Sequence, residues 1–263
     1  GISYEPRCGN PPPRIVETSC GMLNAIGLEN VGVKRFIAEK MPYLQKIGAN
    51  TIVNILGDSI EEYCEIVECL NDVEGICGVE LNISCPNVKK GGVAFGTNEI
   101  MAAEVTSSVK QVCRVPLIVK LSPNVTDITK MAKAVENAGA DAVSLINTLI
   151  GMAIDIEKRQ PVLANIIGGL SGPAIKPVAL RMVWQVSQAI DIPVIGIGGI
   201  SDWRDAIEFI LAGATAVQVG TANFVDPNAA EKIRIGIEQY VKDTGIESVA
   251  DLIGAAHPAK TSM

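Results

Sequence analysis

The chain carries one histidine in 263 residues, and aromatic side chains make up only 4%. That histidine, His257, lies near the C-terminus and reads as incidental. Histidine-based triads and multi-histidine metal sites are therefore removed from consideration. No apolar run reaches the length of a membrane span, and no signal-peptide pattern opens the chain. No Gly-x-Gly-x-x-Gly follows the first strand-like run, which disfavours direct dinucleotide binding. The net charge is −7, from 22 basic and 29 acidic residues, so a nucleic-acid footprint is not expected. The seven cysteines are irregularly spaced and contain no Cys-x-x-Cys pair. They read as reduced thiols of a cytoplasmic protein. Cys64 and Cys69 are five apart on one expected helix, so their thiols face different ways and do not suit an iron–sulfur cluster. No metal site is expected.

What is present is an α/β composition: 48% hydrophobic and 19% charged residues, in a length that suits one large barrel or two small domains. One pattern repeats: amphipathic helix, small-residue corner, strand. The corners are Gly48-Ala49-Asn50, Ala138-Gly139-Ala140 and Ala212-Gly213-Ala214, each with a glycine where a helix end needs left-handed backbone. Strands are expected at 51–56, 79–83, 116–121, 142–147, 193–197 and 216–219. They are nearly continuous in Val, Ile and Leu, as parallel strands covered on both faces should be. Ser59-Ile60-Glu61-Glu62 reads as a capping box opening a helix to about Leu70. Ser201 is expected to cap another, with Asp202 and Asp205 in its first turn. Residues 1–14 hold a Pro-rich loop and no clear strand. Residues 149–177 interrupt the repeat: 152–155 and 161–164 could pair as a hairpin, and 168–173 reads as a loop over an active site. Six expected strands fit either an open sheet or a barrel whose first strands lie outside this chain.

The chemistry-bearing residues fall at the expected carboxyl ends of strands, where parallel α/β folds place their sites. Those ends supply Asn54, Asn82, Lys120, Asn147 with Thr148, Gly198-Gly199 and Gly220-Thr221. Asn82-Ile83-Ser84-Cys85-Pro86-Asn87 sets a thiol between two amides, which can donate to and accept from a planar, imide-like ligand. The glycine turns after the last two strands suit a phosphate held by backbone N–H groups. Lys120 ends a buried strand, which is costly without an anion beside it.

These motifs together resemble class 1 dihydroorotate dehydrogenases over essentially the whole chain. They are Asn-x-x-Cys-x-Asn at 82–87, Val-Lys-Leu-Ser-Pro-Asn at 119–124, Ile-Asn-Thr at 146–148, Gly-Gly-Leu-Ser-Gly-Pro-Ala-Ile-Lys-Pro at 168–177 and Val-Gly-Thr-Ala at 219–222. The segments 85–92 and 24–28 are most similar to the NAD-dependent 1B catalytic subunit. The resemblance implies a single FMN-binding (β/α)8 TIM barrel over residues 1–263 that oxidises dihydroorotate to orotate in pyrimidine biosynthesis. Cys85 is implied as the base that takes the C5 proton, with hydride passing from C6 to FMN. Substrate binding is implied for Asn24, Ala25, Ile26, Gly27, Leu28, Asn82, Asn87, Asn147 and Thr148. FMN contact is implied for Asn54, Asn82, Lys120, Ile146, Gly172, Gly198, Gly199, Gly220 and Thr221. Electrons are expected to reach NAD through a partner subunit carrying FAD and a [2Fe–2S] cluster, in a heterotetramer built on a homodimer.

The family begins with a further segment that forms the first two barrel strands and ends in a lysine touching flavin and substrate. This chain opens with Gly-Ile-Ser just after that lysine and is expected to be a fragment of a normal enzyme. Two other readings compete: a dihydropyrimidine dehydrogenase-like subunit, and a non-catalytic flavin-binding scaffold. Substrate preference separates the first, and the effect of replacing Cys85 separates the second.

Overall fold

Val and Ile fill the expected strands because branched side chains suit extended backbone. The structure, a computed structural model, describes residues 1–83 and 92–258, with residues 92–94 as backbone only. In chain order the strands are β1 Ile15–Thr18, β2 Gly21–Asn24, β3 Thr51–Ile55, β4 Ile76–Asn82, β5 Leu117–Lys120, β6 Ala142–Leu145, β7 Leu149–Met152, β8 Ile154–Asp155, β9 Gln160–Pro161, β10 Ile167–Ser171, β11 Val194–Ile197 and β12 Ala216–Gln218. Six of them, β3, β4, β5, β6, β11 and β12, lie side by side in that order and all parallel. They are the six expected from sequence, with ends shifted by three residues at most.

Strand order decides the architecture. A doubly wound open sheet reverses direction at a switch point. Here the order never reverses, and the sheet is curled as the wall of a (β/α)8 barrel. Alternate strand residues Val53, Ile55, Val79, Leu81, Leu117, Val119, Val143 and Leu145 join one core with helix residues such as Tyr63, Ile66, Val105, Val135 and Val183. Each such burial contributes about 1.5–3 kcal/mol. The opposite face departs from the expectation of aliphatic cover on both sides. It carries Glu80, and Asn54, Lys120, Ser144 and Gln218 each donate a hydrogen bond to its carboxylate.

The corner glycines Gly48, Gly139 and Gly213 have φ of +65°, +96° and +107°, as the left-handed helix exits require. Ser59 caps the helix Ile60–Leu70, its side chain accepting from Glu62 N at 3.2 Å. The reciprocal half of that box is displaced by one residue: Glu62 accepts from Asp58 N at 2.7 Å. At the helix Trp203–Leu211 the cap is Asp202, not Ser201. Asp202 accepts from Arg204 N and Asp205 N, while Asp205 accepts from Ser201 N and Asp202 N. A carboxylate accepts both bonds and also complements the helix dipole, so it displaces the serine.

Residues 1–14 hold no strand, as expected, but Ile2 makes an isolated parallel bridge to Ile55, its N–H donating to Asn54 O at 2.8 Å. One further expectation is corrected. Residues 168–173 are mostly strand rather than loop, since β10 pairs antiparallel with β2 and β7 in a sheet of order β1-β2-β10-β7. Its glycines serve close approach, not a turn. A Cβ on Gly168 would lie 2.6 Å from Asn24 O, and one on Gly169 would lie 2.1 Å from Thr148 Oγ1. The expected hairpin is present as the two-residue ladder β8–β9. Among the described residues no helix is long and apolar enough to cross a membrane.

Candidate active site

The carboxyl ends of the parallel strands and the rim of the antiparallel sheet enclose a cleft of about 910 Å³, a volume typical of small-molecule sites. Ten of the expected site residues line it: Asn24, Lys120, Ile146, Asn147, Thr148, Gly172, Gly198, Gly199, Gly220 and Thr221. They come from segments as far apart as residues 24 and 221, so only the folded chain brings them together.

On one side, amides are held by one another. Asn147 Nδ2 donates to Asn82 Oδ1 at 3.2 Å, and Asn147 Oδ1 accepts from Thr148 N at 2.8 Å. Asn82 is buried at the end of β4, and its carbonyl accepts from Tyr63 Oη at 2.8 Å. Asn124 ties the same rim, donating to Thr148 O at 2.9 Å and accepting from Ile150 N at 3.1 Å. Asn24 Nδ2 lies 3.4 Å from Gly169 O across the β2–β10 pair. Such bracing fixes side-chain orientation before a ligand arrives.

On another side are glycine turns. Gly198 and Gly199 have φ of +132° and +74°, and a Cβ on Gly199 would meet Gly172 O at 2.8 Å. Gly220 differs: a Cβ there would meet nothing within 4 Å. Its backbone therefore borders open cleft, the kind of cradle that an anion's oxygens can enter. Thr221 Oγ1 donates to Ser171 Oγ at 2.8 Å beside it.

Beneath the cleft lies a buried carboxylate that reading the sequence missed. Glu80 sits mid-strand in β4 and is only 4% exposed. Its Oε2 accepts from Asn54 Nδ2 at 2.6 Å and from Lys120 Nζ at 3.4 Å. Its Oε1 accepts from Ser144 Oγ at 2.8 Å and from Gln218 Nε2 at 3.0 Å. Burial pushes this carboxyl up, but the Lys120 charge and the bonds from Gln218, Ser144 and Asn54 outweigh it and hold it below the ordinary carboxylate value. The signal was in plain view: a lone acid inside Gly78-Val79-Glu80-Leu81 is costly unless paired. The anion expected beside Lys120 thus comes in part from the protein itself.

Other expected residues lie elsewhere. Asn54 belongs to the Glu80 network rather than to the cleft wall. Ala25 is fully buried and packs with Leu23 and Leu163. The carbonyls of Ala25, Ile26 and Leu28 accept from Asn10 Nδ2, Asn10 N and Asn30 Nδ2, and Gly27 and Leu28 take φ of +74° and +62°. The segment 24–28 thus offers the cleft chiefly Asn24. Cys85 and Asn87 lie outside the described residues. Of the seven cysteines, the six described are free thiols.

A barrel wall with amides, a lysine and glycine turns converging on one cleft has the form of a small-molecule enzyme site. The particular family follows from the sequence as a whole. The family model described as dihydroorotate dehydrogenase matches residues 1–241, and the chain belongs to that family of oxidoreductases. It is 63% identical over 255 residues to "Dihydroorotate dehydrogenase B (NAD(+)), catalytic subunit" from Geotalea daltonii, covering 97% of this chain and 84% of that relative. Proteins of the same printed name from Geotalea uraniireducens and Geobacter sulfurreducens are 62% and 59% identical over the same shares.

Proposed function

We propose that this chain oxidises dihydroorotate to orotate with FMN bound in the cleft. What carries the reading is the convergence of Asn24, Asn147, Thr148, Lys120 and the Gly198 and Gly220 turns on one cavity of about 910 Å³. Residues 1–263 act as one FMN-binding barrel domain in this reading. The open space at Gly220 and the left-handed turn at Gly198-Gly199 fit a phosphate held by backbone N–H groups, which supports FMN there. Lys120, with Asn54 behind it, Ile146, Gly172 and Thr221 complete the flavin side. Bound FMN would supply a two-electron acceptor for the substrate hydride.

The chain's own residues do the rest. Asn24, Asn82, Asn87, Asn147 and Thr148 bind the carbonyl and N–H edges of the pyrimidine, with the loop 25–28 shaping that end of the site. Cys85 takes the C5 proton as C6 loses its hydride, so the ring gains one double bond and loses two hydrogens. The thiolate form is needed, because a thiol cannot accept the proton. Lys120 stabilises negative charge that develops near it.

Electrons then pass to NAD through a partner subunit carrying FAD and a [2Fe–2S] cluster, within a heterotetramer built on a homodimer in the cytoplasm. The name "catalytic subunit" borne by the relatives supports a separate partner. Cys85→Ala tests the chemistry: we expect dihydroorotate oxidation to fall by about two to four orders of magnitude with flavin still bound. Unchanged turnover would remove Cys85 as the base. Faster oxidation of dihydrouracil than of dihydroorotate would point instead to a dihydropyrimidine dehydrogenase-like activity.

A further inference from the structure

We propose that Glu80 is a positioning residue that sets how much of the Lys120 charge reaches the bound ring, and hence the reduction potential of the flavin. The proposal rests on the assignment of FMN and Lys120 to the cleft given above, and deepens it.

The geometry is specific. Lys120 ends β5 and lines the cleft, whereas Glu80 lies one strand away on the same sheet face and does not line it. Their side chains are 19% and 5% exposed. The ammonium therefore lies between solvent-accessible cleft and buried carboxylate. Among the described residues Glu80 is the ion-pair partner of Lys120. At 3.4 Å the contact is long for a charge-assisted hydrogen bond. It neutralises Lys120 in part and leaves its donors able to turn toward a ligand.

Besides Lys120, three donors from β3, β6 and β12 hold the carboxylate, so its two oxygens cannot swing toward Lys120 to close the gap. The position of the charge that faces Lys120 is therefore set by side chains on neighbouring strands. In this low-dielectric floor a charge a few ångströms away acts strongly. A flavin that takes up a hydride gains two electrons and one proton, and so one negative charge. Lys120 favours that charge, and Glu80 opposes it.

Redox titration of the flavin-loaded protein tests this. Glu80→Gln keeps the shape, and the Asn54 amide can rotate to accept from the new N–H group. Without the opposing charge, the midpoint potential should rise, so that the reduced-to-oxidised ratio at a fixed poise increases about tenfold or more. Should that variant not fold, Ser144→Ala serves. It removes one donor from the carboxylate and vacates too little space for a water. The freed negative field should lower the same ratio about twofold or more. A purely structural role would weaken flavin retention without these opposite shifts. Stoichiometric flavin with an unmoved potential in the variant that folds overturns the role of Glu80. A wild-type chain that takes up no flavin overturns the underlying assignment instead.

Discussion

At the scale of single residues, the site is decided by small differences in what surrounds each group. Gly199 and Gly220 stand at neighbouring turns, yet only one is sterically locked. Gly199→Ala would place a Cβ 2.8 Å from Gly172 O at a φ of +74°. It should cost about 1–3 kcal/mol of stability, read by denaturant unfolding. Gly220→Val meets open cleft instead. Its melting temperature should stay at the wild-type value while the Kd for FMN rises about tenfold or more by titration. Equal stability losses in both variants would contradict the cradle. Cys85 and the glycine turns stand out in the sequence because their residue types advertise chemistry. Glu80 does not stand out, because its meaning depends on Asn54, Lys120, Ser144 and Gln218, which lie up to 138 residues away.

At the scale of elements, the parallel strands were legible because continuous Val, Ile and Leu runs have few other uses, and the corner glycines fixed where each began. The antiparallel sheet was not. β1 and β2 are four residues each, too short for a clear alternation, and the glycines of β10 mimic a turn. Only the pairing of β10 with β2 and β7 reveals that those glycines admit Asn24 and Thr148. Helix caps were legible to within one residue. Ser201 and Asp202 are both good cap residues, and hydrogen-bond count decides between them. Asp202→Ala should therefore destabilise by about 1 kcal/mol. Ser201→Ala should change stability little, since its hydroxyl makes only a 3.3 Å bond to Gly199 O. Thermal unfolding of the two variants separates them, and the reverse ranking would contradict the assigned cap.

At the scale of the molecule, one buried carboxylate joins β4 to β3, β5, β6 and β12 across most of the sheet's width. Because Glu80 is held below its ordinary value, the folded form binds that proton less readily than the unfolded chain. Its contribution is therefore present above the ordinary carboxylate value and is lost as pH falls through the lowered one. Glu80→Gln should flatten the acid limb of the stability–pH curve, and an unchanged limb would mean that the network does not couple the strands. The curled six-stranded wall serves a single purpose in this account: it brings amides, a lysine and backbone N–H groups to one opening. Anaerobic addition of dihydroorotate to the purified, FMN-loaded protein tests that most directly. The visible flavin band should bleach within the dead time of manual mixing and stay bleached until an oxidant is added. A band that persists, with flavin bound and substrate in excess, would contradict the account.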